Sequence, residues 1–302
     1  MSYHEPVLLK ECIEGLKINP DGIYVDVTFG GGGHSKKILE SLSNKGKLVA
    51  FDQDATAIKN VPNDSRIIFI NQNFMYLQNS LRLHGIKKVD GILADLGVSS
   101  HQFDTGERGF SIRYDGPLDM RMNTKASLTA SIVINTYEGK DLSRIFRMYG
   151  EIENFRKLSD LIVNARSVQT IDTTLQLKEI ISSIAPKHAE HKYLARVFQA
   201  LRIEVNKEME ALQEFLSQSL HVLENKARLV VISYHSLEDR LVKDFMKTGN
   251  CQGKQDKDFF GNIFRPFDLI TKKPVVPDDN EININNRARS AKLRIAEKIN
   301  LK

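Results

Sequence analysis

Apolar residues follow two rhythms along this chain, and the switches between them outline a fold. Short unbroken runs at Ile23 to Val27, Lys47 to Phe51, Ile67 to Ile70 and Val89 to Ala94 read as buried strands. Between them, Ser35 to Leu42, Asp54 to Asn60 and Met75 to Leu83 carry helical spacing. Such alternation predicts a parallel sheet with right-handed crossovers. From about Thr105 to Arg202 the strand rhythm stops, and Ile145 to Met148, Asn154 to Asn164, Thr174 to Ile184 and His191 to Leu223 are spaced as helices. Arg228 to Ser233 resumes the strand pattern, and Leu237 to Met246 is helical. Phe267 to Lys272 and Ala291 to Ala296 are placed to form an antiparallel edge. The economical layout is an α/β, nucleotide-type sheet interrupted after its fourth strand by a helical insertion. Residues 1–104 and 206–302 then form one discontinuous domain, and residues 105–205 the insertion.

The link between the first strand and its helix is Asp26-Val27-Thr28-Phe29-Gly30-Gly31-Gly32-Gly33-His34-Ser35. Four consecutive glycines cost chain entropy, so bare backbone is needed there, and in open α/β sheets a ligand lies in that crevice. A phosphate-cradling P-loop requires Gly-Lys-Ser/Thr, whereas Gly33 is followed by His34-Ser35. The dinucleotide fingerprint also fits poorly, because its third glycine falls on Ser35 or Lys36. Its acidic partner does survive, as Asp52 at the end of the second strand, where a carboxylate can accept both hydroxyls of a ribose. A nucleoside without a clamped pyrophosphate fits, and S-adenosylmethionine is the common one. The plain alternative is a structural turn followed by an exposed acid.

Composition narrows the class. No apolar run approaches the length of a membrane span, and the first seventeen residues lack a basic-then-apolar signal layout, so a cytoplasmic protein is expected. Cys12 and Cys251 stand alone without ligand-like spacing, which argues for a reduced compartment and no metal. The net charge of +5 is modest, with basic clusters at Lys187-His188 and His191-Lys192, at Lys272-Lys273, and from Arg287 to Arg294. These permit a nucleic-acid partner without requiring one. Gly249 to Asp258 is the nearest approach to a flexible stretch.

Eight motifs then occur in a fixed order: His4-Glu5-Pro6-Val7-Leu8-Leu9, Asp26 to Ser35, Asp95-Leu96-Gly97-Val98-Ser99-Ser100, Arg108-Gly109-Phe110-Ser111, Gly116 to Met122, Phe198 to Ile203, Ser233 to Arg240, and Arg287-Ala288-Arg289-Ser290. Together they resemble the RsmH (MraW) family of bacterial methyltransferases, from His4 to about Glu297. The resemblance implies a Rossmann-like class I methyltransferase sheet, with the insertion serving RNA recognition. It implies S-adenosylmethionine as methyl donor, no metal, and methylation at N4 of a cytidine in the decoding region of small-subunit (16S) ribosomal RNA. The implied partner is the small ribosomal subunit, with no membrane and no obligatory protein partner. Gly32, Gly33 and His34 would form the cofactor loop, Asp52 would hold the ribose, Phe74 would lie against the adenine, and Asp95 and Gln102 would complete the pocket. Two departures stand out. Gly31 replaces a longer side chain common in the family, and Ile152-Glu153-Asn154 replaces a basic, aromatic continuation after Tyr149-Gly150-Glu151.

An exocyclic amine is a weak nucleophile, so in-line placement and an acceptor for its hydrogens carry the chemistry. Asp95 is the catalytic candidate for that acceptor. It follows the fourth strand where many amino-methyltransferases place an acid or amide before Pro-Pro-aromatic, a motif absent here, and it could equally bind only cofactor. Methylation at C5 would require a cysteine nucleophile, and neither cysteine lies in a suitable motif. Tyr234 and His235 after the fifth strand are substrate candidates, for stacking or proton relay, with Ser236 as the expected cap of the helix beginning at Leu237. Arg113 and Arg121, with Arg108, are candidates for RNA phosphate, against intramolecular pairing with Asp104, Asp115 or Asp119. An RNA-binding assembly factor with a vestigial pocket is disfavoured because the glycine loop, Asp52 and Asp95 are all present. A DNA amino-methyltransferase is disfavoured by the missing Pro-Pro-aromatic.

Overall fold

The structure, a computed structural model, describes residues 6–255, 261 and 263–300, so His4 and Glu5 of the first motif, and the end of the polar stretch before Asp258, lie outside the described residues. The chain divides into two compact units, residues 1–97 with 209–302 and residues 98–208.

The first unit is built on a sheet. Its strands are β1 (Ile23–Asp26), β2 (Lys47–Phe51), β3 (Ile67–Ile70), β4 (Val89–Asp95), β5 (Leu223–Ser233), β6 (Phe267–Leu269) and β7 (Lys292–Lys298), in the order β3-β2-β1-β4-β5-β7-β6. β1 to β5 pair in parallel, and β7 runs antiparallel between β5 and β6. The expected α/β sheet is therefore present, and a run of helices separates β4 from β5 in the chain. Helices α1 (Leu9–Leu16), α2 (Gly33–Ser41) and α3 (Leu77–Leu83) come from its first half. The second unit carries α4 (Ser100–Asp104), α5 (Ala130–Thr136), α6 (Gly139–Met148), α7 (Phe155–Val168), α8 (Thr174–Ser182) and α9 (Glu190–Asn206). Helices α10 (Glu208–Val222), α11 (Ser236–Thr248) and α12 (Asp279–Ile284) complete the chain.

Strand alternation sorts the side chains onto two faces of the sheet. Ile92, Ala94, Leu229 and Val231 pack with Leu81 of α3, Phe215 of α10 and Phe245 of α11 on one face. Leu48, Leu93, Val230 and Ile232 pack with Leu16 of α1 and Ile38 of α2 on the other. Strands buried on both faces read as unbroken apolar runs, which is why the sequence shows them clearly. In the helical unit, Val133, Phe146, Ile162, Ile181 and Leu201 are wholly buried, one from each of its five longer helices. Removing a ring such as Phe146 from water stabilises that core by about 2–3 kcal/mol.

Several boundaries differ from the sequence expectation. The run from His191 to Leu223 is two helices, because Lys207 takes φ 50 in the left-handed region and stops α9. Residues 55–60 form a 3₁₀ helix capped by Asp54, whose side chain accepts from the Thr56 N–H. β5 starts at Leu223 rather than Arg228, and β6 ends at Leu269 rather than Lys272. No helix among the described residues is long and apolar enough to cross a membrane.

Candidate active site

Strand order reverses between β1 and β4, and three carboxylates gather at the carboxyl ends there: Asp26 closes β1, Asp52 follows β2, and Asp95 closes β4. A crevice opens at such a switch point, because the crossovers leave it in opposite directions. Asp26 is only 1% exposed. It accepts from the Ser35 hydroxyl at 2.7 Å and the Thr28 N–H at 3.1 Å, and burial still holds its pKa above the usual carboxylate value. Asp52 accepts from the Gly30 N–H at 2.7 Å and the Asp54 N–H at 2.8 Å, one bond to each oxygen. Burial pushes its carboxyl up to about 6, with Asp54 and Asp26 adding repulsion.

Asp95 occupies the middle of the site. Its Oδ1 accepts from the Tyr234 hydroxyl at 2.8 Å, and its N–H donates to Thr28 Oγ1 at 2.6 Å. Its Oδ2 lies 3.8 Å from His34 Nδ1, and its side chain keeps 24% exposure. Burial is the main reason its carboxyl rises to about 6. Asp26 and Glu238 push the same way, while His34 and the Tyr234 hydroxyl pull it down. His34, in the first turn of α2, sets its Nε2 3.0 Å from the Val7 carbonyl. A carbonyl only accepts, so Nε2 carries the hydrogen and Nδ1 is the nitrogen turned toward Asp95. The crevice is thus rich in carboxylates that resist ionisation, which suits a cationic ligand.

The glycines answer to neighbours inside the protein. A Cβ on Gly33 would come within 2.2 Å of Pro6 Cγ, and one on Gly32 within 2.8 Å of the Phe29 ring, where φ is +77. Bare backbone is needed there, as the sequence implies, but the segment at Pro6 and the Phe29 ring fill the space of the missing side chains.

The remaining candidates separate. Phe74 begins a short 3₁₀ turn after β3, half-buried, with its ring 5.5 Å from Phe215 in an edge-on contact. Gln102 belongs to the helical unit and is buried, its Oε1 accepting from the Ser99 N–H at 3.2 Å. Arg113 is exposed. Arg121 is bound within its own loop: Nε and Nη2 grip Asp119 at 2.9 and 2.6 Å, and Nη1 donates to the carbonyls of Thr124 and Ala126. Tyr234 gives its hydroxyl to Asp95. Ser236 is not the cap of α11. That position is taken by His235, which forms a capping box with Glu238, because its Nδ1 can accept from the Glu238 N–H at 3.4 Å. Its Nε2 also lies 3.2 Å from Glu238 Oε1.

Sequence reasoning passed over Asp26 and Thr28 as functional groups, although both are spelled out in the glycine motif. Their signal was available: an acid that ends a buried strand costs stability unless it is hydrogen-bonded, and Asp26 accepts from Ser35 and Thr28 of the same loop.

The family model described as the MraW methylase family matches residues 1–299. Relatives named ribosomal RNA small subunit methyltransferase H have nearly the same length. The one from Bacteroides thetaiotaomicron is 58% identical over 99% of this chain and 98% of its own. The Flavobacterium johnsoniae relative is 58% identical over 99% of both chains, and the Cytophaga hutchinsonii relative 55% identical over 98% and 99%. Taken with the sheet order and the three strand-end carboxylates, a match over nearly the full length leaves one assignment: this chain belongs to the MraW methylase family.

Proposed function

We propose that the protein transfers the methyl group of S-adenosylmethionine to the N4 amine of a cytidine in the decoding region of small-subunit (16S) ribosomal RNA. The observation that carries this reading is Asp95, a carboxylate at the switch point that is partly accessible, held at Oδ1 by the Tyr234 hydroxyl and with His34 Nδ1 3.8 Å from Oδ2. When bound, the cofactor supplies an electrophilic methyl on a sulfonium. Its positive charge suits strand ends where Asp52 and Asp95 stand with Asp26 buried nearby, since a cation offsets the repulsion and desolvation that now disfavour their ionised forms. Asp52 would take the ribose hydroxyls on lone pairs not used by Gly30 and Asp54, and the loop at Gly32, Gly33 and His34, with Phe74, would complete the sheet unit's share of the cofactor site. Relatives named as small-subunit ribosomal RNA methyltransferases support the RNA substrate.

The chain's own contribution to the reaction is orientation and a proton acceptor. Asp95 accepts a hydrogen bond from the amine, which holds the lone pair in line with the methyl. Once the new N–C bond replaces the methyl's bond to sulfur, which would leave as a neutral thioether, the nitrogen carries one proton too many, and the Asp95 carboxylate takes it. Tyr234 keeps Oδ1 fixed while this happens, so the carboxylate needs no reorientation. The helical unit, residues 98–208, is read as the RNA-recognition part. No metal is required by this scheme.

The test is incubation with methyl-labelled S-adenosylmethionine and small ribosomal subunits that lack decoding-region methylation, followed by digestion to nucleosides. Label in N4-methylcytidine is the expected result. Label in another nucleoside, or none with cofactor bound, would overturn the assignment.

A further inference from the structure

The helical unit contains nine arginines, and the structure divides them by what their guanidiniums do. Arg108, Arg121, Arg144, Arg166, Arg196 and Arg202 donate to carbonyls or carboxylates of the protein itself. Arg113, Arg147 and Arg156 are exposed and, among the described residues, make no hydrogen bond or ion pair through the guanidinium. Two of these three converge on one side chain. The guanidinium carbon of Arg147 lies 5.6 Å from the centre of the Phe155 ring, and that of Arg156 lies 5.4 Å from it.

The turn between α6 and α7 that sets these groups is firmly held. The Gln199 side chain donates to the Tyr149 carbonyl at 2.9 Å, Arg196 donates to the Glu151 carbonyl at 3.3 Å, and the Tyr193 hydroxyl donates to Asn154 Oδ1 at 2.9 Å. All three donors come from α9. Ile152 is buried beneath the turn, so the segment serves as an anchor. Basic and aromatic groups stand on either side of it.

Placing two cations around one ring costs repulsion, and Arg156 and Lys157 also occupy the first turn of α7, where the helix dipole disfavours positive charge and no acid is present. Glu153 is on the same turn, yet among the described residues it does not pair with these guanidiniums. The aromatic ring limits the rotamers of both arginines, so little conformational freedom is left to lose when an anion binds. Two guanidiniums held near one ring offer donors to the oxygens of successive phosphates along an RNA backbone.

We propose that Arg147 and Arg156, steadied by Phe155, form a clamp for the RNA backbone on the helical unit. The proposal rests on the RNA-methylation reading and names the surface that reading leaves open. Phosphate contact of this kind positions the substrate and carries no base identity, so it belongs to binding rather than to the methyl-transfer step.

The test compares wild-type protein with Arg147→Ala/Arg156→Ala in binding to unmodified small ribosomal subunits over a series of KCl concentrations. A control, Lys10→Gln/Lys37→Gln, removes the same charge from exposed sites on the sheet unit. The clamp predicts that the arginine variant binds about tenfold to a hundredfold more weakly at low salt. It also predicts that the slope of log affinity against log salt falls by about 1.4–1.8, the release expected for two phosphate contacts. The control keeps the wild-type slope to within about half a unit, and S-adenosylmethionine affinity is the same in all three proteins. A second variant, Phe155→Leu, keeps both charges and loses the platform, so it weakens binding with the slope retained. Wild-type affinity and slope in the arginine variant would overturn the clamp while leaving the methyltransferase reading in place. Wild-type protein that binds no subunit would overturn both.

Discussion

In the sheet unit, charge is buried against its own interest. Asp26 is almost fully enclosed, and Asp52 and Asp95 are pushed up to about 6. In the helical unit, Arg147 and Arg156 stand in water over Phe155, whereas Arg121 and Arg202 of the same unit are tied to Asp119 and Glu208. Buried carboxylates interact strongly and change protonation, so they suit bond making. Exposed guanidiniums are screened by salt and never lose their charge, so they suit reversible attachment to a polyanion. The comparison teaches that a charged side chain can be read as chemistry or as adhesion only once its surroundings are known.

The contrast can be broken most severely at Asp95. Asp95→Asn keeps the shape and removes the proton acceptor, and methyl transfer should fall by about 10²–10⁴-fold at pH 8 in a single-turnover assay. A rate within tenfold of wild type would demote Asp95 to cofactor binding. Asp52→Ala should weaken S-adenosylmethionine binding by about 2–3 kcal/mol, measured by calorimetry, because charge-assisted bonds to the ribose are lost. Unchanged affinity would remove Asp52 from the ribose.

Stability should move the other way from activity. The Asp95 pKa is raised above its ordinary value of 3.8 to about 6 in the folded protein, so its proton stabilises the fold. That contribution is complete below the unfolded value and is lost as pH rises through the folded one. At pH 8 the ionised carboxylate costs the ligand-free fold about 2–3 kcal/mol. Asp95→Asn should therefore raise the melting temperature at pH 8 and leave it nearly unchanged at pH 4. A lower melting temperature at pH 8 would show that the carboxylate is better satisfied than its surroundings indicate.

The smallest effect is expected at Tyr234. Tyr234→Phe removes the donor to Asp95 Oδ1, which now helps hold that carboxyl down. The acidic limb of the rate profile should shift upward by about one pH unit, with rates close to wild type above pH 8. A uniform loss at every pH would mean that Tyr234 touches the substrate instead.

Much of the fold was legible because its strands are buried on both faces and stand out as apolar runs. The break at Lys207 was not, since a lysine in the left-handed region is set by packing and leaves the 3.6-residue spacing on both sides intact. The strand-end positions of Asp52 and Asp95 were legible because each acid closes an apolar run. His235 displaced Ser236 as helix cap because its ring nitrogen reaches the Glu238 N–H, a choice decided by backbone direction. The glycine loop was correctly read as needing bare backbone, but the close neighbours, Pro6 and Phe29, come from tertiary contact and from the turn itself. Nine arginines look alike in a sequence; only their partners divide them.

The most direct measurement is steady-state methyl transfer to small subunits by wild type, Asp95→Asn and Arg147→Ala/Arg156→Ala, with RNA varied at saturating cofactor. Separate roles predict that Asp95→Asn lowers kcat while the RNA KM stays within about threefold, and that the arginine variant raises KM with kcat within about threefold. The reverse pattern, or both parameters failing together in both variants, would contradict the division between the two units.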